Sequence, residues 1–180
     1  FELNHENGLF IGLYLAEGTS HISSGKVLIS NNDKTILNIV EKWFDKRNIV
    51  HKTYVKNGNN NSTSTSIQGS STILAKFLTQ LVGQGARHKF IPAEFQFAPD
   101  DFIKGLIDGY YSGDGTISKN SIDVSSASKD LINGISMLLT RFGIYSKMTT
   151  SILKKNNFNT INIAPINRLS VRSIFAKKFS

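Results

Sequence analysis

One eleven-residue pattern occurs twice and limits what this chain can fold into. Residues Gly8 to Gly18 read GLFIGLYLAEG, and residues Gly105 to Gly115 read GLIDGYYSGDG. Displaced by 97 residues (Gly8 onto Gly105), Gly8, Gly12 and Ala16 fall on Gly105, Gly109 and Gly113, and Glu17-Gly18 falls on Asp114-Gly115. Small residues at i, i+4 and i+8 share one stripe of a helix, because a turn takes about 3.6 residues. Such a stripe admits another backbone. The intervening residues are mostly large and apolar, so each helix must be buried on most sides. Two such helices in one chain are best satisfied by packing on each other.

Helices packed side by side in this way bring Glu17 and Asp114 together at one end. Each acid precedes a glycine suited to the left-handed stop of a helix. A helix C-terminus is the negative end of the dipole and carries unpaired carbonyls. A carboxylate is disfavoured there, and a pair more so. A divalent cation reverses the argument: Glu17, Asp114 and the carbonyls at Gly18 and Gly115 make a hard-oxygen donor set suited to Mg²⁺.

Phe10 to Gly18 and Ile107 to Gly115 resemble the two motifs of a single-chain LAGLIDADG homing endonuclease. The likeness covers nearly the whole chain, since the segments that follow the motifs repeat as well. Both copies depart from the name-giving consensus but keep the glycine and the acid-glycine ending. Between them, Lys89-Phe90-Ile91-Pro92 resembles the lysine block of the intein-encoded type. The resemblance implies that Lys89 orders or polarises solvent at the scissile phosphate. No such block follows the second motif, which leaves Lys129 and Lys147 as candidates for a second basic group.

The chain of 180 residues carries a net charge of +8, with a pI near 9.7. A compact basic chain most often partners nucleic acid. With no cysteine, disulfides and thiolate metal sites are excluded, and the four histidines are scattered. No apolar run reaches membrane-spanning length and no signal peptide is visible, so an intracellular protein is expected. The start at Phe1 suggests a piece of something longer.

Periodicity places further elements after each motif. In the first half these are strands over 19–22 and 26–30, a helix from Lys34 to Lys46, strands over 49–56 and 65–69, and a helix over 72–82 with Ile73, Leu74, Phe77, Leu78 and Leu81 inward. In the second they are strands over 114–118 and 121–126, a helix over 129–142, strands over 144–151 and 158–163, and a last helix over 168–178. The strand over 49–56 alternates, placing Lys52, Tyr54 and Lys56 on one face. Lys154 to Asn157 make a turn.

The expected fold is α+β, with two pseudo-symmetric αββαββα halves spanning 1–95 and 96–180. The resemblance implies antiparallel sheets that straddle double-stranded DNA as a saddle, with Lys52, Tyr54, Lys56, Lys147, Lys154 and Lys155 as DNA-binding candidates. It also implies catalysis by Glu17, Asp114 and Lys89. The chain would act as a monomer that hydrolyses one phosphodiester in each strand of a long asymmetric site, using Mg²⁺, for which Mn²⁺ can substitute. The competing reading is a module of the same fold that binds without cutting, an RNA maturase or a regulator.

Overall fold

The computed structural model describes residues 1–57, 63–152 and 165–176. The elements in order are α1 (His5–Glu17), β1 (Gly18–His21), β2 (Lys26–Ser30), α2 (Lys34–Asp45), β3 (His51–Asn57), β4 (Thr63–Ser70), α3 (Thr72–Val82), a 3₁₀ turn (Ala93–Phe97), α4 (Asp100–Asp114), β5 (Thr116–Ile117), β6 (Ser121–Ser126), α5 (Lys129–Thr140), β7 (Ser146–Ile152), β8 (Pro165–Arg172) and α6 (Ser173–Ala176). The fold is α+β. The strands form two antiparallel four-stranded sheets, ordered β1-β2-β4-β3 and β5-β6-β8-β7. The repeat read from the motifs therefore extends to sheet topology. By contacts the chain divides into one unit of Phe1–Gln84 with Ala98–Gly113, and another of Gly85–Phe97 with Asp114–Ser180.

The first unit is built on α1 and α4. Asn4 caps α1, its side-chain oxygen accepting from the Asn7 N–H at 3.0 Å. Residues Asn7 to Leu15 are buried except Leu9. The small stripe is where α4 lies. A Cβ on Gly8 would overlap the Phe102 carbonyl oxygen, and one on Gly12 would overlap that of Leu106. In return, a Cβ on Gly105 would strike the carbonyl of His5, and one on Gly109 that of Leu9. These partners advance together along both chains, so the helices run in the same direction. At the acidic end, Gly113 makes room for Ala16 and for Glu17, whose Cγ would lie 3.4 Å from an added Cβ.

The glycines after the acids are not left-handed stops. Gly18 has φ −85° and continues directly into β1, and Gly115 is not among the glycines with positive φ. Gly18 is needed for space instead: a Cβ there would overlap the Tyr14 ring. The left-handed stops fall elsewhere, at Asn48 (φ 51°) and Gly143 (φ 66°). After each, the next amide reaches back five residues, Ile49 N to the Phe44 carbonyl at 3.0 Å and Ile144 N to Leu139 at 3.1 Å. Both are Schellman closures, 95 residues apart (48 to 143), so the repeat persists in the loops.

α2 seals the other side of α1. Phe10 stacks on Trp43 with centroids 3.5 Å apart, and the Trp43 indole N–H donates to the buried Asn7 side chain at 3.0 Å. Arg47 lies 3.9 Å over the Trp43 ring. Glu6 accepts from Lys46 at 2.5 Å and from Arg47 at 3.2 Å; Lys46 chiefly holds its carboxyl below the usual range. In α3 the buried side is Leu74, Ala75, Leu78 and Val82. Ile73, expected inward, is 83% exposed, because it lies nearly opposite that stripe.

The second unit holds the connector as structure rather than as a linker. Ser128 caps α5, its Oγ accepting from the Leu131 N–H at 3.1 Å while donating to the Lys89 carbonyl at 2.6 Å. Ile91 sits where a Cβ of Gly134 would be, and Phe95 is buried. The segment after Asn167 departs from expectation. Residues 168–172 are the last part of β8, and among the described residues the helix covers Ser173–Ala176. The burial alternates, with Asn167, Leu169 and Val171 inward and Arg168 and Arg172 outward, which is a period of two. The strand expected over 158–163 lies outside the described residues.

The closeness of α1 and α4 leads to a sharp expectation. Gly109→Ala adds one methyl against the Leu9 carbonyl and should cost about 1–3 kcal/mol or more. That is a drop of roughly 2–4 °C in Tm per kcal/mol for a chain of this size. Unchanged melting in Gly12→Ala and Gly109→Ala would refute the contact.

Candidate nucleic-acid interface and metal site

Each sheet covers its unit's helices with one face and leaves the other open. In the first sheet, Val27, Ile29, Ile67 and Gly69 are buried against the helices, and Gly69 leaves room for the Phe44 ring. β3 follows the same alternation. His51 stacks on Phe44 and pairs with Asp45 of α2 at 3.0 Å, and Thr53 donates to Glu41 of α2 at 2.9 Å. Lys52, Tyr54 and Lys56 must then point to the open face, where all three are exposed. Their cross-strand partners are Gln68, Ser66 and Ser64. β2 adds Lys26 and Ser30, and β1 adds Thr19 and His21. Not one of these open-face residues is acidic.

The second sheet repeats the design. Leu169, Val171 and Val124 are buried, and Ser146 bonds Ser136 of α5 at 2.8 Å. The open face therefore carries Lys147, Thr149 and Ser151 from β7, Arg168, Ser170 and Arg172 from β8, and Ser121, Asp123 and Ser125 from β6. Of the sequence-derived candidates, Lys147 is exposed on this face. Lys154 and Lys155 lie outside the described residues. Arg168 and Arg172 were hidden by the helical reading of 168–178; the alternation Asn-Arg-Leu-Ser-Val-Arg was the signal that could have revealed them.

The motif acids end their helices, Glu17 as the last residue of α1 and Asp114 as the last of α4. Glu17 is exposed and borders an open polar cleft of about 330 Å³ with Ser30, Asn31, Asn32, Ser64 and Gly113. Two of those side chains are oriented by backbone amides. Asn31 Oδ1 accepts from the Asp33 N–H at 2.8 Å, and Asn32 Oδ1 from the Thr65 N–H at 3.3 Å. The cleft offers carboxylate, amide and hydroxyl oxygens and no sulfur or imidazole, a set that fits Mg²⁺ or Mn²⁺ rather than zinc. Among the described residues no cluster of three His, Cys, Asp or Glu could hold a metal unaided. A cation there must complete its shell with water or with substrate oxygens, as Mg²⁺ commonly does.

Lys89 is 5% exposed, which is rare for lysine. It is held in place by the bond from Ser128 to its own carbonyl. Lys129, at the start of α5, is exposed.

The sequence matches the LAGLIDADG-like domain over residues 4–81 and again over 101–179. The chain belongs to that family. It is 41% identical over 160 residues to the DNA-directed RNA polymerase subunit Rpo1C of Methanocaldococcus jannaschii, covering 87% of this chain and 18% of that protein. It is 25% identical over 179 residues to the replication factor C small subunit of the same organism, covering 96% and 9%. The chain thus spans less than a fifth of the length of these relatives. Among solved structures, the homing endonuclease I-DmoI in complex with DNA and Mn superposes with a TM-score of 0.66 at 14% identity, covering 99% of this LAGLIDADG-like chain and 95% of that one. Full-length DUF199/WhiA from Thermatoga maritima gives 0.67 at 10% identity, covering 99% and 56%. At those identities the likeness is one of fold. No helix among the described residues is long and apolar enough to cross a membrane.

If Lys52 and Lys56 face phosphates, each contributes counterion release. Lys52→Ala with Lys56→Ala should lower the slope of log affinity against log salt by about two. An unchanged slope in a filter-binding titration would mean that this face does not meet DNA.

Proposed function

We propose that this chain is a site-specific endonuclease that makes a double-strand break in a long, asymmetric DNA site, using a divalent metal. The observation that carries the reading is the pairing of two acid-tipped helices with sheets whose open faces are basic and hydrogen-bonding. A module that only binds has no use for acids at the negative ends of two helices, where they cost stability. The halves 1–95 and 96–180 differ in sequence, so they would read different half-sites. The chain would act as a monomer.

Glu17 and Asp114 act as metal ligands and catalytic carboxylates, assisted by the carbonyls of Gly18 and Gly115. Mg²⁺, or Mn²⁺ in its place, supplies activation of water and stabilisation of charge at phosphorus. Lys89 polarises the solvent beside the phosphate, and its burial favours a fixed role over a loose surface contact. Lys52, Tyr54, Lys56, Lys147, Lys154 and Lys155 bind DNA, the lysines gripping phosphates and Tyr54 with its open-face neighbours meeting base edges. The complex of I-DmoI with DNA and Mn supports this reading. The likeness to WhiA keeps one alternative, a binding protein of the same fold.

Glu17→Gln and Asp114→Asn should each abolish double-strand cleavage in single-turnover assays while leaving DNA affinity within a few-fold of wild type. Full cleavage by either variant would overturn the assignment. Equal affinity with no cleavage by the wild-type chain at any Mg²⁺ concentration would favour the binding protein.

A further inference from the structure

The open face of the second sheet carries a feature that the first sheet lacks. Arg168 and Arg172 project from one central strand, β8, on the face away from α5. Both are exposed, and neither forms an ion pair among the described residues. Their nearest acid on the sheet is Asp123 of β6, diagonal to both, which instead accepts from Ser121 at 3.1 Å. The strands flanking them add Ser125 and Thr149 beside Arg168, and Ser121 beside Arg172. Two guanidinium forks thus stand in a row, with Ser170 between them and Lys147 of β7 and Asp123 of β6 diagonal to both.

Four residues along a strand span about 13 Å. Successive base pairs of B-DNA rise about 3.4 Å, so the two forks are about four base steps apart along a groove that the strand follows. Arginine fits the O6 and N7 acceptors of guanine bidentately, the commonest specific contact in the major groove. Resting on the DNA reading above, we infer that Arg168 and Arg172 are specificity-determining residues, each reading a guanine, the two guanines lying about four base pairs apart in the half-site that faces the second sheet. The first sheet presents lysines, His21, Leu28, Gln68 and hydroxyls on its open face and, among the described residues, no arginine, so this preference belongs to one half-site alone. Lysine cannot reproduce the planar fork, so charge and readout are separable at these positions.

Selection from a randomised duplex library tests this, with base preferences compared among the wild-type chain, Arg168→Ala, Arg172→Ala and Arg168→Lys. The wild-type chain should enrich two guanines with that spacing on one side of its site. Each alanine variant should lose discrimination at one of them by roughly ten-fold or more, with preferences elsewhere unchanged. Arg168→Lys should keep bulk affinity for DNA and lose the guanine. A uniform loss of affinity in the alanine variants with an unaltered base profile would make these residues phosphate contacts and overturn the inference. A wild-type site that lacks the guanines would overturn it while leaving the DNA reading standing. Failure of the wild-type chain to retain any duplex would overturn both. Melting curves matching wild type confirm that the exposed substitutions leave the fold intact.

Discussion

The contact between α1 and α4 is the constraint on which the rest depends. Backbone meets backbone there, through Gly8 and Gly12 on one side and Gly105 and Gly109 on the other. Atoms at such separations leave no room for even a methyl group, and packed interiors do not deform cheaply. The contact therefore fixes register as well as distance. It also explains why α1 is buried almost all round, with α2 closing its remaining side through Phe10, Trp43 and Asn7. The exposed acid follows from the same geometry. Glu17 ends α1 where Gly113 gives way, and it meets a cleft of polar side chains instead of the core.

A second consequence concerns the sheets. An antiparallel sheet with one face on helices leaves the other to solvent, and the pleat sorts side chains between them. Here the sorting is chemical as well as hydrophobic. In β3, His51 and Thr53 bond to α2, while Lys52, Tyr54 and Lys56 point away. In β8, Leu169 and Val171 go inward, while Arg168 and Arg172 go outward. The net charge of +8 is thus not spread at random, since both open faces draw on it.

Much of this architecture was legible in the residues. The motif duplication predicted the packing of α1 on α4 because glycine at i and i+4 has one common physical use in a buried helix. The repeat of the segments that follow each motif predicted the doubled sheet, and the structure carries it further, into the paired turns at Asn48 and Gly143. What escaped has physical causes. Gly18 looked like a helix stop, yet its φ is ordinary and the glycine serves the Tyr14 ring. Ile73 looked like core because it is apolar, yet its angular position on α3 faces water. The strand β8 looked helical because Val171, Ile174 and Phe175 stand at i, i+3 and i+4, a helical spacing. Short apolar runs do not distinguish the two periods without knowledge of the partner strand. The burial of Lys89 was invisible for a similar reason, since it goes with a non-local contact, the bond from Ser128, 39 residues away, to the Lys89 carbonyl.

The central claim is that acid-tipped helices and basic sheets together make a metal-dependent nuclease. Its most direct measurement is incubation of the chain with a supercoiled plasmid library carrying random inserts, in Mg²⁺ and in EDTA, followed by sequencing of the linear products. The account predicts linear product only with Mg²⁺, with breaks at one recurring asymmetric sequence. Stable retention of a recurring sequence with no strand broken in Mg²⁺ or Mn²⁺ would contradict it.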